Sequence, residues 1–449
     1  MAIRDKYPIF RYKSYKYSFE KGNLKISFDF LIEPDIAFSP KIIIENVKEH
    51  KDKQTLENLI FNLGMIEMVS YLKAACSQNI IIDCGYLDTK QKKFWRNLFL
   101  NGLGEFFYEN KIDFREKDFF KFKTNKGENL KVKKIKTEDK ILLPIGGGKD
   151  SIVSLNLLKK ENLCLMGLNP TKEIKATIGG KKHIYIKREI DKRLLELRQK
   201  GFYNGHTPFS AYLAFLSTLC AFLTNSRYIA LSNESSANEE TVCYLGKKIN
   251  HQYSKTLEFE NSFREYAKEY IANGIEYFSF LRPLYEIQIA KLFSNFKKYH
   301  SIFLSCNEAN KTYSGTRKKT QVWCGHCPKC LFVFSILYPF MKEQDLSKIF
   351  KKNLFEDKSL QNEMLKLIGE GKSKPFECIG EKQESLIAFY LSSKKAPHKY
   401  CLLDYLEKNI FPKYKNLDAL SKKIMNAWNE KNNLPPKFKK ILKNEIRKS

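Results

Sequence analysis

The chain has 449 residues, 43% of them hydrophobic and 29% charged, with 79 Lys and Arg against 50 Asp and Glu for a net charge of +29. At roughly 150 residues per domain this length predicts two or three domains, and the apolar content excludes a disordered chain. The longest nearly apolar run, residues 211–223, is shorter than the ~20 residues that span a bilayer, so no transmembrane helix is expected. Residues 1–10 hold Arg4, Asp5, Lys6 and Pro8 without an apolar stretch, which argues against a secretory signal.

In chain order, residues 15–20, 25–32 and 41–45 alternate or run apolar and are predicted as strands, with Lys21-Gly22-Asn23 turning between the first two. Residues 56–75 and 89–108 have helical periodicity. The Lys-rich stretch 119–139 reads as a link to a second domain. From Lys140 onward the pattern alternates strand and helix. Strands are predicted at 141–145, 163–168, 183–187, 228–231, 277–281 and 301–304, and helices at 151–159 and 209–223, the latter with Thr207-Pro208 as cap and first turn. Such alternation predicts an α/β fold with a parallel sheet covered on both faces. After Cys330 the chain becomes helical, at 331–341, 362–368, 383–391 and 417–428. The expected division is an N-terminal α+β domain (1–135), a central α/β domain (136–335) and a helical C-terminal region (336–449).

The charge does not decide the function. There are 12 Arg against 67 Lys, spread along the chain, whereas surfaces that bind nucleic acid draw on the bidentate fork of Arg. Nucleic acid is therefore not the expected partner, and attraction of small anionic substrates is an equal use of the charge. Eleven Cys, an odd number with three inside seven residues, fit the reducing cytoplasm and metal-bound or free thiols rather than a disulfide framework.

Two motifs carry chemistry. Pro144-Ile145-Gly146-Gly147-Gly148-Lys149-Asp150-Ser151 lies between a predicted strand and a predicted helix. Glycines there let backbone N–H groups approach a phosphate, and the helix start adds its dipole. Lys149 offers a positive charge and Ser151 a hydroxyl, while Asp150 at the lip makes sense if a divalent cation bridges it to the phosphates. The second motif is Cys324-Gly325-His326-Cys327-Pro328-Lys329-Cys330, preceded by Cys306. Four thiolates can close a tetrahedral Zn²⁺ site of structural type, with Cys306 at a strand end and His326 as an alternative ligand; the other readings are an iron–sulfur cluster, which lacks a longer Cys pattern here, and free buried thiols at a helix start.

The glycine loop resembles the S-G-G-x-D-S loop of the PP-loop ATP pyrophosphatase superfamily, with Gly146 in place of the usual Ser. The resemblance implies cleavage of ATP to AMP and pyrophosphate. It also implies nucleotide or metal contacts from Asn233 and Glu234 in Ser232-Asn233-Glu234, beyond a predicted strand, and a substrate-placing role for Arg282-Pro283-Leu284. Longer strings narrow the family. Asn204-Gly205-His206-Thr207-Pro208, Ser232 to Asn238, Asn250-His251-Gln252-Tyr253-Ser254-Lys255, the Cys324–Cys330 run and Lys374-Pro375-Phe376-Glu377-Cys378 are similar to the UDP-N-acetylmuramoyl-L-alanyl-L-glutamate epimerases, the MurL family. That resemblance implies ATP-dependent inversion of the terminal L-Glu of a UDP-muramoyl dipeptide for peptidoglycan synthesis. Within it, His251, Lys255 and Cys378 are candidates for handling the α-proton. The alternative is a PP-loop enzyme acting on tRNA or a deazapurine precursor. The sequence sets no oligomeric state.

Overall fold

The computed structural model describes residues 2–128, 132–310 and 322–448. Thirteen strands form among them: β1 (Ile9–Glu20), β2 (Asn23–Ile32), β3 (Ile36–Phe38), β4 (Lys41–Ile44), β5 (Asn79–Ile82), β6 (Lys121–Thr124), β7 (Glu138–Pro144), β8 (Leu163–Leu168), β9 (His183–Glu189), β10 (Ser226–Leu231), β11 (Val242–Tyr244), β12 (Lys247–Ile249) and β13 (Glu276–Ser279). All but the β11–β12 hairpin belong to one sheet, ordered β13-β10-β7-β8-β9-β4-β2-β1-β5-β6 with β3 beside β2. The five strands from β13 to β9 are parallel, as the strand–helix alternation predicts. β4 then pairs antiparallel with β9, joining the N-terminal strands to the same sheet.

The apolar pattern of each strand follows from what covers it. β2 alternates, burying Leu24, Ile26, Phe28, Phe30 and Ile32 on one face. In β7, Ile141, Leu142 and Leu143 are all buried because both faces are covered. Leu142 enters a core with the helices Lys53–Glu67 and Phe209–Leu223. Ile141 and Leu143 enter the opposite core with Lys149–Leu157, Glu286–Ser294 and the C-terminal helices. Asp52 caps Lys53–Glu67 by accepting from the Thr55 amide at 3.1 Å, and Asp88 and Gln91 form a reciprocal cap on Thr89–Gly102.

Three expectations are corrected. Residues 301–304 form a loop, not a strand: Phe303 and Leu304 are buried, and the Leu304 amide donates to the Gly147 carbonyl at 3.0 Å instead of extending the sheet. Cys306 thus follows a loop. The expected link 119–139 contains β6, because Phe119, Phe120 and Phe122 pack into the core and the strand pairs with β5; residues 129–131 lie outside the described residues. Thr207 does not cap Phe209–Leu223; its hydroxyl accepts from Lys73 Nζ at 2.7 Å.

Candidate active site

The glycine loop leaves the carboxyl end of β7 and turns into the helix Lys149–Leu157, the edge of a parallel sheet where ligands bind. Gly148 occupies the position before the first helical residue, and the leading N–H groups of that helix have no capping side chain. Gly147 has φ +78°, and a Cβ there would lie 3.1 Å from Glu173 Cβ. Gly146 is exposed and its missing Cβ would meet nothing within 4 Å. A cavity of about 600 Å³ opens beside Gly146, with apolar walls from Met166, Leu168, Ile174 and Ile190.

Behind the loop lies a buried charge cluster. Lys149 turns inward, its ammonium held by Asp150 and Glu286, and Ser151 Oγ donates to the Gly148 carbonyl at 3.0 Å. Glu286 opens the helix Glu286–Ser294, and its second oxygen is 3.9 Å from Lys329 Nζ. Burial opposes the Lys149 charge, yet Asp150 and Glu286 raise its pKa above the ordinary value. Burial and Glu286 raise Asp150, and burial with the same neighbour pushes Glu234 up to about 7. The negative charges of Asp150, Glu234 and Glu286 are thus felt by one another in this buried cluster.

Asn233 and Glu234 follow β10, both buried; Asn233 donates to Ser279 Oγ at 3.1 Å. The fully buried Arg282 donates to the Glu234 carbonyl at 2.7 Å, to the Lys255 carbonyl, and to Glu260 at 3.2 Å. It therefore braces the backbone that carries Glu234 and Lys255.

A second cluster gathers the other predicted residues. His251 Nε2 is 3.8 Å from Cys378 Sγ, and His251 Nδ1 bonds the Glu105 carboxylate. His206 Nδ1 is 3.3 Å from the same carboxylate oxygen. Lys255 Nζ donates to Gln252 Oε1 at 3.1 Å, and Lys329 Nζ donates to the Cys378 carbonyl. Burial opposes a thiolate at Cys378, but the Lys255 ammonium and His251 bring its pKa down to about 5. Burial likewise opposes a charged His251, but Cys378 and Glu105 raise it to about 10. Burial, His251 and Lys73 hold His206 neutral, well below the ordinary range. Both shifts favour a thiolate on Cys378 and a proton on His251.

The sequence reading missed Glu105, His206, Glu286 and Lys329 as site residues. His206 had a signal, since it lies in one of the strings that carry the resemblance; Glu105, in the short helix Gly104–Glu109 amid apolar residues, had none.

Cys306, Cys324, Cys327 and Cys330 do meet, with all four sulfur atoms within 4.8 Å of one another and Cys324 Sγ 3.6 Å from Cys330 Sγ. The knuckle ends at the helix Pro328–Leu337, where the Cys330 amide donates to Cys327 Sγ. His326 points away; it is exposed, with Nδ1 3.0 Å from the Cys324 carbonyl.

A mostly parallel sheet, a glycine loop feeding a helix at its carboxyl edge and a buried set of reactive groups beside it define an α/β enzyme. Family models for the MurL N-terminal domain match residues 1–280 and for the MurL C-terminal domain residues 302–418. The chain belongs to the MurL family. It is 34% identical over 341 residues to the UDP-N-acetyl-alpha-D-muramoyl-L-alanyl-L-glutamate epimerase of Xanthomonas oryzae pv. oryzae, covering 75% of each chain. It is 32% identical to proteins of the same name from a Micromonospora species, covering 76% of each, and from Salinispora tropica, covering 76% of this chain and 74% of that one.

Proposed function

We propose that this chain inverts the terminal L-Glu of UDP-MurNAc-L-Ala-L-Glu to D-Glu at the expense of ATP, releasing AMP and pyrophosphate. The observation that carries this reading is the uncapped helix behind Gly146, Gly147 and Gly148 in a chain whose relatives bear the epimerase name. The α-proton of a carboxylate is hardly acidic, because its loss sets a second negative charge beside the first. Adenylation removes the first charge and turns the carbonyl into an electron sink. The loop N–H groups and Ser151 receive phosphate oxygens, and the cavity beside Gly146, with Met166, Leu168 and Ile174 among its walls, takes the adenosine. Lys149 neutralises the carboxylates below the loop. Asp150 and Glu234, with Asn233 beside them, would hold Mg²⁺, which when bound offsets phosphate charge. His251, Lys255 and Cys378 handle the α-proton. Zn²⁺ in the four-thiol site has a structural role, holding Lys329 beside Glu286 and Cys378.

No described helix is long and apolar enough to cross a membrane. We assign the activity to the cytoplasm, where nucleotide-linked precursors are available. The test is incubation with ATP, Mg²⁺ and the UDP-linked dipeptide in D₂O. Deuterium at the glutamate Cα with one AMP per inversion is expected; inversion without deuterium, or without AMP, overturns the reading.

A further inference from the structure

The three groups expected to handle the α-proton do not face one another across a gap. His251 and Lys255 both converge on the sulfur of Cys378. On the far side of the imidazole, Nδ1 is bonded by Glu105, whose same oxygen is held by the neutral His206. A thiol, a histidine in contact with it and a carboxylate orienting that histidine are the parts of a nucleophilic site rather than of a two-sided proton exchange. Cys378 is half-buried. Its backbone is tied to the nucleotide end of the molecule, because Lys329 bonds the Cys378 carbonyl and lies 3.9 Å from Glu286, the partner of Lys149 in the glycine loop.

We propose that Cys378 accepts the glutamyl group from the adenylate, so that inversion takes place on an enzyme-bound thioester, with His251 as its base and Glu105 as the residue that positions His251. The inference rests on the function proposed above, adds a covalent step to it, and gives Cys378 the acyl group in place of the α-proton. The Cys378 sulfur attacks the carbonyl carbon of the acyl adenylate; the C–S bond forms, and the bond from that carbon to the phosphate oxygen breaks with its electron pair. AMP departs, taking the proton of His251. The thioester carbonyl, weakly conjugated with sulfur, acidifies the α C–H; the now neutral His251 takes that proton, the planar enolate turns its other face to the imidazolium, and a proton exchanged with solvent is returned there, which inverts Cα. Water then attacks the carbonyl and gives a proton to His251, the C–S bond breaks, and the thiolate–imidazolium pair is restored. Adenylation alone would need no reactive thiol; the Cys378–His251–Glu105 chain is what the thioester accounts for.

The experiment uses the full-length protein with ATP, Mg²⁺ and UDP-MurNAc-L-Ala-L-Glu, acid-quenched through the first turnover and analysed by intact-protein and peptide mass spectrometry. The expected result is an adduct on the peptide bearing Cys378, with the mass of the substrate less one water, released by hydroxylamine. Cys378→Ala should retain substrate-dependent ATP–pyrophosphate exchange, which also reports that it is folded, and should lose deuterium incorporation at Cα by at least roughly 10³-fold. Glu105→Gln should slow adduct formation by roughly 10²-fold and move alkylation of Cys378 by iodoacetamide to higher pH, a readout that mere loss of packing would not shift. Release of AMP with deuterium at Cα but no adduct at any quench time overturns the thioester and leaves the epimerase reading intact, as does a Cys378→Ala protein that still inverts. Absence of substrate-dependent pyrophosphate exchange in the unaltered protein overturns both.

Discussion

Gly147 and Gly146 are adjacent glycines under different constraints. At φ +78° an L side chain costs roughly 1–2 kcal/mol, and the Cβ of Gly147→Ala would press on Glu173. Gly147→Ala should lower unfolding free energy by about that amount in urea titrations and weaken ATP–pyrophosphate exchange. Gly146 has neither a left-handed backbone nor a neighbour in reach, so Gly146→Ser should stay within about 0.5 kcal/mol of the parent. Acidic residues near the site give a pH signature. Burial and Glu286 push Glu384 up to about 8 and Glu234 up to about 7, against an ordinary value of 4.5. Between those values the folded chain holds protons that the unfolded chain releases, so this stability is complete below about 4.5 and is lost as pH rises through about 7 and 8. Denaturant titrations should show a less stable protein at pH 9 than at pH 6, and Glu384→Gln should remove part of that fall.

Among the elements, the cysteine knuckle and the helix Pro328–Leu337 act as one piece. The spacing made the triplet legible as a cluster of thiols, and the helix expected from residue 331 begins three residues earlier, with Pro328 in its first turn. What the spacing could not give was the route of the fourth ligand. Cys306 arrives on a loop because Leu304 bonds the glycine loop instead of pairing in the sheet. Four thiols so close are the ligand set of a tetrahedral Zn²⁺ site, and an ion held there would add its binding free energy to folding. Elemental analysis should find about one Zn²⁺ per chain. Cys327→Ser or a strong chelator should remove it and lower the melting temperature by several degrees, at about 2 °C or more for each kcal/mol lost. Activity should fall with it, since Lys329 lies two residues beyond Cys327 and its ammonium bonds the Cys378 carbonyl.

At the scale of the molecule, one sheet runs from β13 to β6, with β4 against β9. The apolar helix Phe209–Leu223 lies in a single core with Lys53–Glu67. A fragment of residues 136–449 would expose that helix and the free edge of β9, so it should be insoluble or lack cooperative unfolding when expressed alone, as circular dichroism and sedimentation would report. Eight of the thirteen strands, several of the helices, the glycine loop and the cysteine triplet were readable from order alone, because periodicity and short-range spacing are local properties of the chain; β3, β5, β6, β11 and β12, of three or four residues each, were not. The joining of the N-terminal strands to the parallel core was not, because an edge strand carries no mark of its partner. Nor was the chain from Glu105 through His251 to Cys378, whose members are 146 and 127 residues apart. Their residue types were in plain view, but the pKa values that make them reactive arise from burial and from neighbours that only folding brings within a few ångströms.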